Sequence, residues 1–121
     1  MNIAFFNTKP YDRLWFEPLS KEYGMKIHFI ESSLMPDTVI LASGFDAVCI
    51  FVNDNVTEQI AEALASLGIK LILLRCAGFN NVNLDATRAL GITVLRVPSY
   101  SPAAVAEFSM ASILTVNRKL H

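Results

Sequence analysis

The 121-residue sequence predicts an α/β fold built on a five-stranded parallel sheet. Five short apolar segments alternate along the chain with helix-like segments, which is the pattern of strands joined by crossover helices. Residues 46–52 and 70–76 are almost continuously apolar, as strands are when both faces of their sheet are covered. The chain length fits a single domain with a sizeable core.

The five predicted strands are short apolar runs bounded by turn-forming residues. The second differs because its apolar and polar residues alternate, which predicts a strand that is less buried than the others. The fifth ends at Pro98, which cannot donate a hydrogen bond to a neighbouring strand. The strands are predicted at residues 2–7, 25–31, 46–52, 70–76 and 92–97.

Helices are predicted between the strands. The first carries an apolar stripe of Leu14, Trp15, Leu19 and Tyr23, and Gly24 ends it. The next clear helix has Thr57 or Asn55 as its N-cap and Gly68 after its end. Its apolar positions follow the helical spacing i, i+3, i+4, i+7 and are Ile60, Ala63, Leu64 and Leu67.

Three further helices are predicted from weaker signals. Residues 38–42 indicate a short helix before Gly44, and Asn83 can cap another that runs to Leu90. The last helix opens with a capping Ser101 and with Pro102 at its first position.

Five alternating strands suggest the flavodoxin-like order 2-1-3-4-5, with helices on both faces of the sheet. We assign residues 1–98 to this domain and residues 99–121 to a loop and a helix that lead out of it. The last helix reaches His121 without a terminating glycine or proline, and small residues along it would let another helix approach closely. We therefore expect the chain to be the front part of a longer protein.

Composition excludes several classes of protein. The net charge of −1, with both signs scattered, leaves no footprint for nucleic acid. No apolar run is long enough for a membrane span, and the N-terminus lacks the features of a signal peptide. Cys49 and Cys76 lie in strand-like runs without metal-ligand or redox spacing, which predicts free thiols and a cytoplasmic protein.

The turn after the fourth strand, AGFNN, is the first candidate site. It combines Ala77 and Gly78 with two asparagines at the end of a buried strand, where ligands of parallel sheets bind. Successive backbone N–H groups there can hold a carboxylate or a phosphate, and Gly78 would permit a positive φ or close approach of a ligand. The alternative is an ordinary connection whose Asn83 caps the next helix.

Phe51 and Tyr100 follow two other strands and are further candidates. Phe51 either walls a pocket or belongs to the core, and Tyr100 either screens a ligand or packs on its own loop. Asp54 suggests the phosphate-accepting aspartate of a receiver domain. That domain also needs an acidic pair after its first strand, where this chain has Asn7-Thr8, so the sequence argues against a receiver domain.

The remaining polar residues do not predict catalysis. His28 lies within a strand, and His121 is the terminal residue. Arg75 and Arg96 follow strands and are interpreted as salt-bridge partners, with Glu107 as one possible mate. The sequence contains no G-x-G-x-x-G, no P-loop and no metal-ligand spacing, so it predicts neither a cofactor site nor a metal site of its own.

The segment RCAGFNNVNLDATRALGITVLRVPSYSPAAVAEF resembles the D-isomer-specific 2-hydroxyacid dehydrogenases, most closely their bacterial fermentative D-lactate dehydrogenase branch. TKPYDRLWF and AVCIFVNDN extend the resemblance over the whole chain. It implies a substrate domain whose last helix crosses to a separate Rossmann domain that binds NAD. It also implies that the N–H groups of Ala77 and Gly78 bind the substrate carboxylate, that Tyr100 lines the pocket, and that Phe51 closes over the substrate side chain.

The chain departs from the family in two places. Phe108 stands where relatives often have histidine, and Asn83 where many have aspartate. No residue here matches the family's catalytic histidine, its acidic partner, its substrate-gripping arginine or its glycine-rich loop. The resemblance thus implies the substrate-domain part of an enzyme, with a 2-keto or 2-hydroxy acid as its partner and homo-oligomers as its assembly.

That enzyme would reduce pyruvate to D-lactate with NADH, and this part alone is expected to be inactive. The alternative is a stand-alone flavodoxin-like module that binds a small anion or a protein partner.

Overall fold

A computed structural model describes residues 1–119 and contains a single five-stranded parallel sheet within them. The strand order is β2-β1-β3-β4-β5, which confirms the predicted flavodoxin-like arrangement. The predicted continuation of the last helix to His121 lies outside the described residues. The strands are β1 (Asn2–Phe5), β2 (Lys26–Phe29), β3 (Ala47–Ile50), β4 (Leu71–Leu74) and β5 (Thr93–Arg96).

Three helices begin at predicted caps, and of the two candidates Thr57 and Asn55 the structure uses Thr57. Thr57, Asn83 and Ser101 each accept a hydrogen bond from the backbone N–H three residues ahead, at 3.4, 3.0 and 3.3 Å. A 3₁₀ helix, Val39–Ala42, replaces the helix predicted at residues 38–42. The α-helices are α1 (Pro10–Glu22), α2 (Glu58–Ser66), α3 (Leu84–Ala89) and α4 (Pro102–Arg118).

Two apolar clusters lie on opposite faces of the sheet, because successive side chains of a strand point to opposite sides. The larger cluster joins the sheet to α2 and α3, while the smaller one joins it to Phe16 of α1. All four residues of β3 are buried, whereas β2 is only partly covered at the sheet edge. Helices therefore cover both faces, as predicted.

The apolar stripe that predicts α1 does not face the sheet. Leu14, Trp15 and Tyr23 are each more than two-thirds exposed, and Leu19 is also exposed. The inward side instead carries Phe16 and two buried polar residues, Asp12 and Ser20. In this orientation Asp12 pairs with Arg75, an arginine at the carboxyl end of β4 that is described below.

Helix α4 contributes nothing to the core of the described chain. None of its residues is buried, and its exposed side chains include Phe108, Ile113 and Val116. The helix ends before Lys119, which adopts the left-handed conformation and donates its N–H to the Thr115 carbonyl. No helix in residues 1–119 is both long and apolar enough to cross a membrane.

Candidate functional site

The loops after β3, β4 and β5 lie side by side at the carboxyl edge of the sheet. Ile50 is in register with Leu74, and Leu74 with Arg96, so the residues that follow these strands are neighbours. This edge is where open parallel sheets bind ligands. It brings Phe51 and the Ala77–Gly78 turn, two of the predicted binding elements, into adjacent loops.

The turn after β4 presents unpaired backbone donors. The Val97 N–H donates to the Cys76 carbonyl at 3.2 Å, and Arg96 Nη1 donates to the Ala77 carbonyl at 2.8 Å. Because a trans peptide points its C=O and N–H in opposite directions, Arg96 turns the Gly78 N–H away from itself. Within residues 1–119, the N–H groups of Ala77 and Gly78 have no hydrogen-bond acceptor.

Gly78 does not use the left-handed backbone that only glycine adopts easily. Its φ lies outside the positive range, unlike those of the other four glycines. A Cβ built on Gly78 would meet nothing within 4 Å, so the packing of the chain does not require glycine there. The predicted positive φ is therefore wrong, while close approach of a ligand stays a prediction.

The backbone of the loop that carries Phe51 is held by hydrogen bonds with two polar side chains. Asp54 is 1% exposed, and its carboxylate accepts the N–H groups of Leu34 and Phe51, both at 2.9 Å. Asn81 Nδ2 donates to the carbonyls of Phe51 and Asp54, at 3.1 and 2.7 Å. Asp54 is thus a buried loop anchor, which agrees with the sequence-based argument against a phosphate-accepting aspartate.

Arg75 occupies the space between the ends of β1 and β3. Its Nη1 lies 3.0 Å from Asp12 Oδ2, and its Nη2 donates to the Phe6 carbonyl at 2.9 Å. The guanidinium carbon lies 4.2 Å from the ring centroid of Phe5 and 5.0 Å from that of Phe51. The interpretation of Arg75 as a salt-bridge partner is confirmed, with Asp12 rather than Glu107 as its mate.

Tyr100 is more exposed than Phe51, the other aromatic residue of the predicted site. Its side chain is 74% exposed and forms no hydrogen bond with residues 1–119. Arg96, by contrast, lies with its guanidinium carbon 5.2 Å from the ring centroid of Phe79, beside the carbonyl it holds. The Phe51 loop and the Ala77–Gly78 turn together form one open side of a site, called here the wall. Tyr100 remains a predicted part of this wall.

Sequence reasoning missed Asn81 and undervalued Arg75 as parts of this wall. Asn81 is one of three asparagines in or near the turn, and no sequence pattern indicates that it contacts another loop. Arg75 interrupts an apolar run at a strand end. The available signal for Arg75 is a charged residue directly after a buried strand, since a buried charge needs a partner.

The two cysteines are thiols without nucleophilic activation. Burial raises the pKa of Cys49 to about 12, despite the opposing effect of the Arg75 charge. Burial also raises the pKa of Cys76, again against Arg75, and its Sγ donates to the Gly78 carbonyl at 3.3 Å. Since the thiolate is the reactive form, neither cysteine is suited to covalent catalysis near neutral pH.

We expect 5,5′-dithiobis(2-nitrobenzoic acid) at pH 8 to modify at most one thiol of the folded chain, and slowly. Cys76 is partly exposed, whereas Cys49 is 6% exposed and stays protonated far above that pH. Cys76→Ala should abolish the native reaction, and Cys49→Ala only the reaction that appears in denaturant. Rapid native labelling of Cys49 would contradict the assigned burial.

Comparison with known proteins agrees with this architecture. The sequence profile of the family described as D-isomer specific 2-hydroxyacid dehydrogenase, catalytic domain, matches residues 3–118. The chain is 44% identical over 121 residues to the D-lactate dehydrogenase of Escherichia coli, covering all of this chain and 37% of that protein. It is 49% identical over 121 residues to a 2-hydroxyacid dehydrogenase homolog of Haemophilus influenzae, again covering 37% of the relative.

Solved structures give the same result. The apo-structure of the Escherichia coli D-lactate dehydrogenase superposes with a TM-score of 0.88, at 44% identity, covering 100% of this chain and 38% of that one. An NAD-complexed D-isomer specific 2-hydroxyacid dehydrogenase from Lactobacillus delbrueckii matches with a TM-score of 0.77, at 32% identity, covering 99% and 37%. The chain belongs to the D-isomer-specific 2-hydroxyacid dehydrogenase family and spans little more than a third of the relatives it matches.

Proposed function

We propose that this chain supplies the keto-acid-binding wall of an NAD-dependent D-lactate dehydrogenase, which reduces pyruvate to D-lactate. The observation that supports it most is the pair of unpaired N–H groups at Ala77 and Gly78, on the sheet edge where ligands bind. Two adjacent backbone donors suit a carboxylate, which accepts hydrogen bonds through both oxygens. Phe51 would then face the substrate methyl group, and Tyr100 would close over it from the loop after β5.

The reducing chemistry would come from the rest of the enzyme. Reduction of a keto acid needs a bound nicotinamide as hydride donor and a proton donor for the developing hydroxyl. This sequence has no glycine-rich dinucleotide loop to hold NAD, and it has no histidine near the turn to donate the proton. What its residues can do is bind the carboxylate and orient the keto acid.

The division of the chain follows from this proposal. Residues 1–98 would form the substrate domain, and α4, within residues 99–121, would lead to an NAD-binding domain. The apolar side chains that α4 exposes suit burial against such a domain or against a second subunit, and we propose a homo-oligomeric enzyme. The two free thiols support a cytoplasmic location.

The proposal is tested by reading the gene beyond His121 and assaying its complete product. We expect a further strand followed by G-x-G-x-x-G, and pyruvate-dependent oxidation of NADH by the complete protein. The 121-residue chain alone should give no turnover above a buffer control, because it lacks the groups that transfer hydride and proton. A stop codon after His121 would favour the stand-alone module, and an inactive complete protein would overturn the proposed reaction.

A further inference from the structure

Arg75 links four parts of the carboxyl edge, although nothing in the proposed reaction requires it to touch the substrate. It pairs with Asp12 of α1, donates to the Phe6 carbonyl after β1, and lies between the rings of Phe5 and Phe51. Its own N–H donates to the Ile50 carbonyl at 3.1 Å. Arg75 also lies two residues before Ala77, at the start of the connection that forms the Ala77–Gly78 turn.

We propose that Arg75 is a positioning residue that sets the preference for small keto acids by holding the ring of Phe51. This inference rests on the proposed function, since it assumes that Phe51 faces the substrate side chain. Asp54 and Asn81 fix only the backbone of Phe51. The guanidinium, 5.0 Å from the ring centroid, is the group that restrains the ring.

The shape of the guanidinium explains why an arginine suits this position. A guanidinium is planar and broad enough to contact two rings at once, and its carbon lies 4.2 Å from the Phe5 centroid and 5.0 Å from the Phe51 centroid. The ion pair with Asp12 and the bond to Phe6 fix the plane of this group. A lysine would keep the charge but lose the plane, so the ring of Phe51 would gain freedom to move.

Stability alone does not account for this arrangement. The side chains of Arg75 and Asp12 are only 9% and 8% exposed, so both charges have been taken out of water. Within residues 1–119, the buried Nε of Arg75 has no hydrogen-bond partner, which adds a desolvation cost. Apolar residues of similar volume often stabilise such a position equally well or better. A fold that keeps an incompletely satisfied charge beside a binding edge is typical of a functional constraint.

The test compares substrates within one enzyme preparation. For the complete enzyme, the ratio of kcat/KM for pyruvate to that for 2-ketoisovalerate, a branched keto acid, does not depend on the fraction of protein that is folded. We expect Arg75→Lys to lower this ratio by about 5- to 30-fold, because lysine keeps the charge but loses the planar group that holds the Phe51 ring in place. The matched control is Arg13→Lys. Arg13 lies in α1 with its guanidinium carbon 4.8 Å from the ring centroid of Phe29, so this substitution disturbs a similar contact and should leave the ratio unchanged.

A double-mutant cycle shows whether Arg75 acts through Phe51. Phe51→Ala should lower the ratio by about 10- to 200-fold, and Arg75→Lys should then have no further effect in that background. If Arg75→Lys yields no active enzyme, Asp12→Asn is measured instead and should lower the ratio in the same direction.

The inference is overturned if these variants keep the wild-type ratio, or if Arg75→Lys acts equally with and without Phe51. A wild-type enzyme that reduces neither keto acid would instead refute the proposed function.

Discussion

Asp12→Ala is expected to lower the free energy of unfolding of this chain by about 3 to 5 kcal/mol, because it leaves the Arg75 charge buried without a partner. The Asp12 carboxylate lies 3.0 Å from Arg75 Nη1 and also accepts the Lys9 N–H at 2.7 Å, at the start of α1. Chemical denaturation followed by circular dichroism measures the change. Glu17→Ala is the matched control. Glu17 is half exposed and its ion pair with Arg13 is long, at 3.9 Å, so this substitution should lower the free energy of unfolding by less than about 1 kcal/mol.

The cost should arise from the orphaned charge rather than from the loss of a favourable pair. Asp12→Leu combined with Arg75→Met should therefore recover most of the stability, because both charges are then removed together. The recovered fold would still lack the guanidinium beside Phe51, so stability and substrate preference should separate in this double variant. An Asp12→Ala chain within 1 kcal/mol of wild type would show that the pair is not structurally important.

Local patterns predicted most of the fold. The apolar runs of β3 and β4 and the caps at Asn83 and Ser101 are confirmed, and Thr57 is the cap of the two that the sequence offers for α2; all of these depend on neighbouring residues. The strand order followed from the alternation of strands and helices, which restricts a chain of this length to a few topologies. The strand order also places the Ala77–Gly78 turn beside the Phe51 loop at the carboxyl edge of the sheet.

Contacts between distant segments were not predictable in the same way. The pairing of Arg75 with Asp12, and the two bonds from Asn81 to the Phe51 loop, depend on how loops of different strands meet. The orientation of α1 was missed because its exposed apolar residues outnumber the apolar ones that face the sheet. Hydrophobic spacing locates a helix, but here the buried ion pair and not the apolar stripe identifies the inward side.

Gly78→Val in the complete enzyme is expected to raise the KM for pyruvate by roughly 10- to 100-fold, the loss of about one hydrogen bond to a charged acceptor. The new side chain meets no atom of this chain within 4 Å of its Cβ, and φ is not left-handed, so the fold should tolerate it. A β-branched residue would instead crowd the space that a carboxylate must enter to reach the two N–H groups. The KM for NADH should change little, because this chain carries no dinucleotide loop.

Two controls separate lost binding from a broken turn. Ala77→Ser keeps both backbone donors and should alter the KM for pyruvate far less than Gly78→Val does. Gly91→Val should show the opposite behaviour: Gly91 has a φ of +70°, which strains a branched residue, so the melting temperature should fall while the KM stays near wild type. If Gly78→Val keeps both its melting temperature and its KM for pyruvate, the turn after β4 is a plain connection and the carboxylate binds elsewhere.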